Sequence, residues 1–320
     1  VQSHLPHGIA LDSRGIFMPP RCPAAPVFRT KAASDAQPAS LATLASLLSQ
    51  ERDFDRCDLC LSLLPVTASF RAAPTSAQPK GCPMTRLKIA ALITGSPNRN
   101  HDYDFFRIRL NQALYDAYGI KVDCYQDYED TAAILGADML VTYTSQVIVS
   151  DPASAALRRY LERGGRWFAL HSTNSVAGNQ ILPRILGTRF ISHPPYQKFH
   201  VSVTKPDDPL LEGIDGFDVE DELYCMENVT GDIEVLLHTR WGGEGFGNIK
   251  FEVEDRPMMY RRKVGEGGIL YLALGHANRP YDKPRPDYPD QPDHRGPWEM
   301  PVYKTLIQRG VEWVAGRRPL

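Results

Sequence analysis

From Leu87 onward the chain alternates continuous apolar runs with amphipathic ones. Leu87–Thr94 (LKIAALIT) reads as a strand buried on both faces. Tyr103–Tyr118 then sets Phe106, Leu110 and Leu114 at helical spacing, and Gly119 closes the helix. Ile120–Tyr125 and Asp138–Tyr143 read as the next strands. Asp151-Pro152 starts a helix as cap and first-turn proline, and Arg163-Gly164-Gly165 ends it before a strand at Arg166–Leu170. Short connections and right-handed crossovers turn this alternation into a mostly parallel sheet with helices on both faces. Such sheets bind ligands at the carboxyl ends of their strands.

The second half is rich in strands: Phe199–Val203, Ile233–His238, Pro257–Val264 and Ile269–Leu274, with a hairpin turn at Gly265-Glu266-Gly267-Gly268. Trp241–Asn248 (WGGEGFGN) lacks the lysine and spacing of a phosphate cradle and is expected to be a flexible loop. A last helix, Pro301–Val314, is expected to bury Val302, Leu306, Ile307 and Val311.

Residues 1–83 differ. Stretches such as MPPRCPAAP and RAAPTSAQPKGCP cannot bury a core, so a disordered tail or upstream extension is expected there, with one short leucine-rich helix. A chain begun at Met84 should keep its melting temperature; a fall of more than a few degrees would show that residues 1–83 pack on the rest. The remaining residues, 84–320, suffice for one α/β domain.

Composition narrows the function. A net charge of −2 leaves no electrostatic footprint for nucleic acid or an anionic membrane. No apolar run is long enough to span a bilayer, and the N-terminus lacks a secretory pattern, so a cytoplasmic protein is expected. Of six cysteines only Cys124 and Cys225 follow Met84, which is reducing-compartment usage. Cys57 and Cys60 form a C-x-x-C with no second ligand pair nearby, and chance accounts for it better than zinc or redox chemistry.

Histidine carries the candidate chemistry. His101-Asp102 follows the first strand by a short loop, His171 follows WFAL directly, and His276 follows ILYLALG directly. Each alone is as readily a hydrogen-bonded strand-end residue. Delivered to one sheet edge, however, three imidazoles can converge, and with the carboxylate of Glu222 they would suit zinc or a similar divalent ion. His193 lies in a rigid SHPPY loop, where rim or structural duty is equally reasonable. A rival reading makes Ser172 a nucleophile with His276 as base, although no G-x-S-x-G, acidic third member or oxyanion-hole pattern is evident.

ALITG with His101-Asp102, GGRWFALHS, HPPYQKFHVSV, DELY, PMMYRRKVGEGGILYLALGH and GVEW, in that order, resemble the ThuA-like family, named for trehalose utilisation. The resemblance runs from Leu87 to Ala315. It implies a flavodoxin-like fold related to class I glutamine amidotransferases, with His171 where their catalytic cysteine stands and His276 matching their histidine. Amidotransferase chemistry would then be lost. Where relatives often carry His-Pro before the acidic motif, this chain has Asp208-Pro209.

The resulting expectation is a metal-assisted hydrolase or isomerase acting on a sugar, keto-sugar or lactone. His101, His171, Glu222 and His276 would hold a divalent ion, zinc first, and Asp102, His171 and His276 would serve catalysis. Tyr103, His193 and Tyr224 would contact substrate, with Trp298 a further stacking candidate. A non-catalytic sugar-binding or regulatory module and the Ser172 hydrolase are the alternatives. The expected partner is a small carbohydrate, and self-association is left open.

Overall fold

A computed structural model describes residues 87–98, 101–117, 119–176, 178, 180–278 and 293–320. The expectations for residues 1–83, including the tail, its helix and the Cys57/Cys60 pair, lie outside the described residues. In chain order the elements are β1 (Lys88–Gly95), α1 (Tyr103–Asp116), β2 (Ile120–Tyr125), α2 (Thr131–Gly136), β3 (Met139–Thr144), α3 (Asp151–Glu162), β4 (Arg166–Leu170) and α4 (Ile181–Leu186). There follow β5 (Thr188–Ser192), β6 (Gln197–Val203), β7 (Phe217–Asp221), β8 (Cys225–Asn228), β9 (Glu234–Gly245), β10 (Ile249–Val264), β11 (Gly267–Leu272) and α5 (Pro301–Val314).

Nine strands form one mixed sheet in the order β2-β1-β3-β4-β11-β10-β9-β6-β7, and β5 pairs with β8 separately. The first five are parallel. From β10 outward every pairing is antiparallel, so the strand-rich second half extends the same sheet. Apolar runs without alternation become strands whose successive residues feed two cores. Ala90 and Leu92 of β1 face one core with α1 and α5, while Ala91 and Ile93 face the other with α2, α3 and α4. Phe168 and Leu170 of β4 divide from Trp167 and Ala169 in the same way. Each fully buried leucine or phenylalanine contributes about 1.5–3 kcal/mol.

Several expectations shift. Ser150 rather than Asp151 caps α3, its side chain accepting from Ala153 N at 3.2 Å. The glycine-rich stretch is not a loose loop: Trp241–Gly245 belongs to β9 and pairs with β10 through Gly243–Phe251 and Gly245–Ile249. Gly247 and Asn248, at φ 76° and 56°, make the turn between them. Close strand contact explains Gly242, whose Cβ would lie 2.6 Å from Val253 N. In α5, Tyr303 is buried and Val302 only half-buried. The short elements α2, α4, β5, β7 and β8 carry too few residues to show a period. Among the described residues no helix is long and apolar enough to cross a membrane.

Candidate metal centre

Three strand ends deliver the histidines. His101 stands just before α1, whose N-cap Asp102 accepts a hydrogen bond from Phe105 N at 3.1 Å. His171 follows β4 without a gap and opens a 3₁₀ turn, His171–Asn174. Its φ of 39° lies in the left-handed region, sparsely used by residues with a Cβ, so the turn holds it under strain. His276 follows Gly275, which has φ 118° and no room for a side chain: a Cβ there would lie 2.1 Å from the Tyr303 hydroxyl. Glu222 comes from the far side of the sheet order, directly after β7.

These four residues meet. One ligand atom from each of His101, His171, Glu222 and His276 lies within 4.8 Å of the others, and all four side chains are buried. Glu222 Oε2 is 2.7 Å from His276 Nδ1 and 3.7 Å from His171 Nε2. His193 Nε2 also lies 3.7 Å from that oxygen, with 20% of its side chain exposed, so it stands at the open side of the cluster. His171 Nδ1 is 2.6 Å from Ala273 O, which makes that nitrogen the donor, and Nε2 faces Glu222.

Burial pulls two of the imidazoles, His101 and His276, toward the neutral form. Burial depresses the pKa of His101 well below the usual value, helped by repulsion from His276 and His171 and opposed by Glu222. Burial likewise lowers His276, against the attraction of Glu222. Burial alone would raise the Glu222 carboxyl, but His276, His193 and His171 outweigh it and hold the group well below the carboxylate range. Lone pairs on neutral imidazoles beside an ionised carboxylate are what a divalent cation binds. Fit is also visible in the orphaned atoms: His171 Nε2 and both ring nitrogens of His276 are buried without a hydrogen-bond partner. The His276–Glu222 approach is therefore a close contact out of line for a hydrogen bond.

Tyrosines wall the centre. Tyr224 packs on His171 with ring centroids 4.0 Å apart, and its hydroxyl is 3.5 Å from His101 Nε2. The Tyr103 hydroxyl is 3.3 Å from His101 Nδ1. Burial pushes the Tyr103 hydroxyl up to about 12 and Tyr224 well above 10, so both stay protonated donors. Trp298 has another duty: 4% exposed, it donates to Gly275 O at 2.7 Å and packs against Phe106 in the core. Asp102, besides capping α1, accepts from Arg295 Nη1 at 2.8 Å. Ser172 lies buried beside His171, yet neither its Oγ nor either nitrogen of His276 has a hydrogen-bond partner, so the two do not form a nucleophile–base pair.

Sequence reasoning missed Asp221. Its carboxylate accepts from Gly275 N at 2.6 Å, His276 N at 3.0 Å and Glu222 N at 2.9 Å. One side chain thus ties the backbones of two candidate ligands together. Burial pushes its pKa up to about 7, partly offset by His171 and by those three amides. Asp221→Asn would turn one acceptor into a donor facing amides, and a loss of about 1–3 kcal/mol in unfolding free energy is expected. Unchanged denaturant midpoints would show that the three bonds do not hold the site. His294 was also passed over; its ring stacks on His276 with centroids 4.8 Å apart, and burial pushes its pKa down to about 4.

The fold is shared with known structures. A ThuA-like protein of Parabacteroides merdae superposes with a TM-score of 0.56 at 17% identity, over 72% of this chain and 91% of that one. A ThuA-like protein of Bacteroides uniformis gives 0.54 at 16% identity, over 74% and 95%. No curated protein matches. The family model described as "ThuA: Trehalose utilisation" matches residues 90–287, more than half of the chain, and the protein therefore belongs to the ThuA family.

Proposed function

We propose that the protein is a metal-assisted enzyme of carbohydrate metabolism, acting on a sugar derivative with a carbonyl or lactone carbon. One observation supports this above others: three histidines and Glu222 from separate segments place their ligand atoms within 4.8 Å of one another in a buried cluster. His101, His171, His276 and Glu222 would hold the ion. A bound divalent metal supplies Lewis acidity, polarising a carbonyl or lowering the pKa of a water.

The chain's own groups account for the rest. Asp221 fixes the backbone of Glu222 and His276, so both arrive pre-positioned. Ala273 O accepts from His171 Nδ1 and orients the ring. The Tyr103 and Tyr224 hydroxyls, kept protonated, can donate to a substrate oxygen. His193, at the open side, can bind or exchange a proton with whatever enters.

The test is elemental analysis of the purified protein joined to an activity screen over keto-sugars and sugar lactones. About one zinc or similar ion per chain is expected, with any activity found lost on chelation and restored by the metal. A protein that stays metal-free after incubation with zinc would leave a sugar-binding module as the better reading.

A further inference from the structure

Beside the four candidate ligands lies a second group of polar atoms. Asn278 and His294 exchange backbone hydrogen bonds of 3.0 and 3.2 Å as directly opposed antiparallel partners. Their side chains therefore leave the same face of that ladder. Asn278 is fully buried, and neither atom of its amide has a hydrogen-bond partner. Both ring nitrogens of His294 are buried and unpartnered as well. The His294 ring is 4.8 Å from that of His276, and Tyr196 packs on it at 3.9 Å.

Four orphaned buried polar atoms side by side are unusual, because a buried donor or acceptor without a partner is costly. The geometry points to a subsite, formed by Asn278 and His294, for adjacent hydroxyls of a neutral polyhydroxy substrate whose reacting carbon sits at the His/Glu cluster. This rests on the metal-centre reading of that cluster and adds the residues that would bind the substrate's hydroxyls.

The donor and acceptor inventory argues for the class. An amide presents a donor and an acceptor side by side, and a neutral imidazole presents one of each. Two neighbouring hydroxyls, each able to give and accept, complement such a pair. Charged groups fit worse. The neighbouring cation in sequence, Arg295, is engaged by Asp102 at 2.8 Å and sits over the Phe105 ring. A phosphate or carboxylate would gain no free charge partner from it. The short His294–His276 distance places the hydroxyls next to the reacting carbon.

Calorimetric titration of the full chain, with and without added zinc, tests this with gluconolactone, glucose and valerolactone, the last having the lactone but no hydroxyls. Gluconolactone or glucose should bind, and Asn278→Leu and His294→Phe should each weaken that binding by at least about tenfold, the effect of losing one or two hydrogen bonds. Valerolactone should bind more weakly and respond to neither change. Metal content should be unchanged in both variants. Asn278→Leu should also melt no lower than the parent, because it removes orphaned polar atoms at similar volume. Sugar affinities equal to the parent's in both variants, or no binding of either sugar to the parent, would overturn the subsite. So would metal loss in His294→Phe, which would make His294 a ligand. A parent without metal that still binds gluconolactone through Asn278 would sink the metal reading instead.

Discussion

Glu222→Gln is expected to abolish metal retention and the same activity that a chelator abolishes, while leaving the chain folded. The substitution keeps size and removes the carboxylate charge beside three imidazoles, at 2.7 Å from His276 and 3.7 Å from His171. A divalent ion held by neutral ligands alone loses its charge compensation. Outer-shell partners of metal ligands are worth about 10–100-fold in affinity, and a ligand carboxylate should cost at least as much. The matched control is Ser172→Ala. Its hydroxyl is buried without a partner, so its loss should leave stability and activity within a small margin of the parent. An activity that survives chelation and dies in Ser172→Ala would replace the metal centre with nucleophilic catalysis. Metal content by mass spectrometry after gel filtration reads the first outcome, and initial rates read the second.

His171→Ala should lose the metal and also a measurable part of the fold. Its imidazole is fully buried, Nδ1 meets Ala273 O at 2.6 Å, and Tyr224 packs on the ring. Truncation leaves an unpaired buried carbonyl and a void, for a combined cost of about 2–5 kcal/mol. His171→Gly separates two contributions. It makes the same truncation but removes the Cβ that strains the backbone at φ 39°. It should therefore unfold at a higher denaturant concentration than the alanine variant, although glycine usually destabilises relative to alanine. The reverse order would show that the left-handed elbow is not under strain. If either variant retains a full complement of metal, His171 is no ligand.

The strained elbow also bears on how much of the molecule could be read along the chain. Local patterns carry local structure. The unbroken run at β1, the helical spacing of Phe106, Leu110 and Leu114, and the proline-started helices α3 and α5 obey periods that short-range sterics and solvent impose. Histidines placed directly after β4 and shortly after β11 reach the carboxyl edge of a parallel sheet by connectivity alone, so their candidacy was legible. Glu222 stood out only as an acidic residue within Asp221-Glu222-Leu223-Tyr224.

What remained hidden depends on contacts between distant segments. Nothing in the glycine-rich spelling of Trp241–Asn248 separates a loop from a bulged strand; pairing with β10 decided it. Asp221 reads like any acidic residue at a strand end, and only folding brings Gly275 N and His276 N, 54 and 55 positions away, onto its carboxylate. His294 looks like loop sequence until its backbone pairs with Asn278 and its ring meets His276. The order of residues thus determined which strands form and which edge the histidines reach, because period and connectivity act at short range. The tertiary structure alone decided that three histidines and Glu222 share one buried point, since convergence depends on sheet order, register and the burial that strips water from their lone pairs.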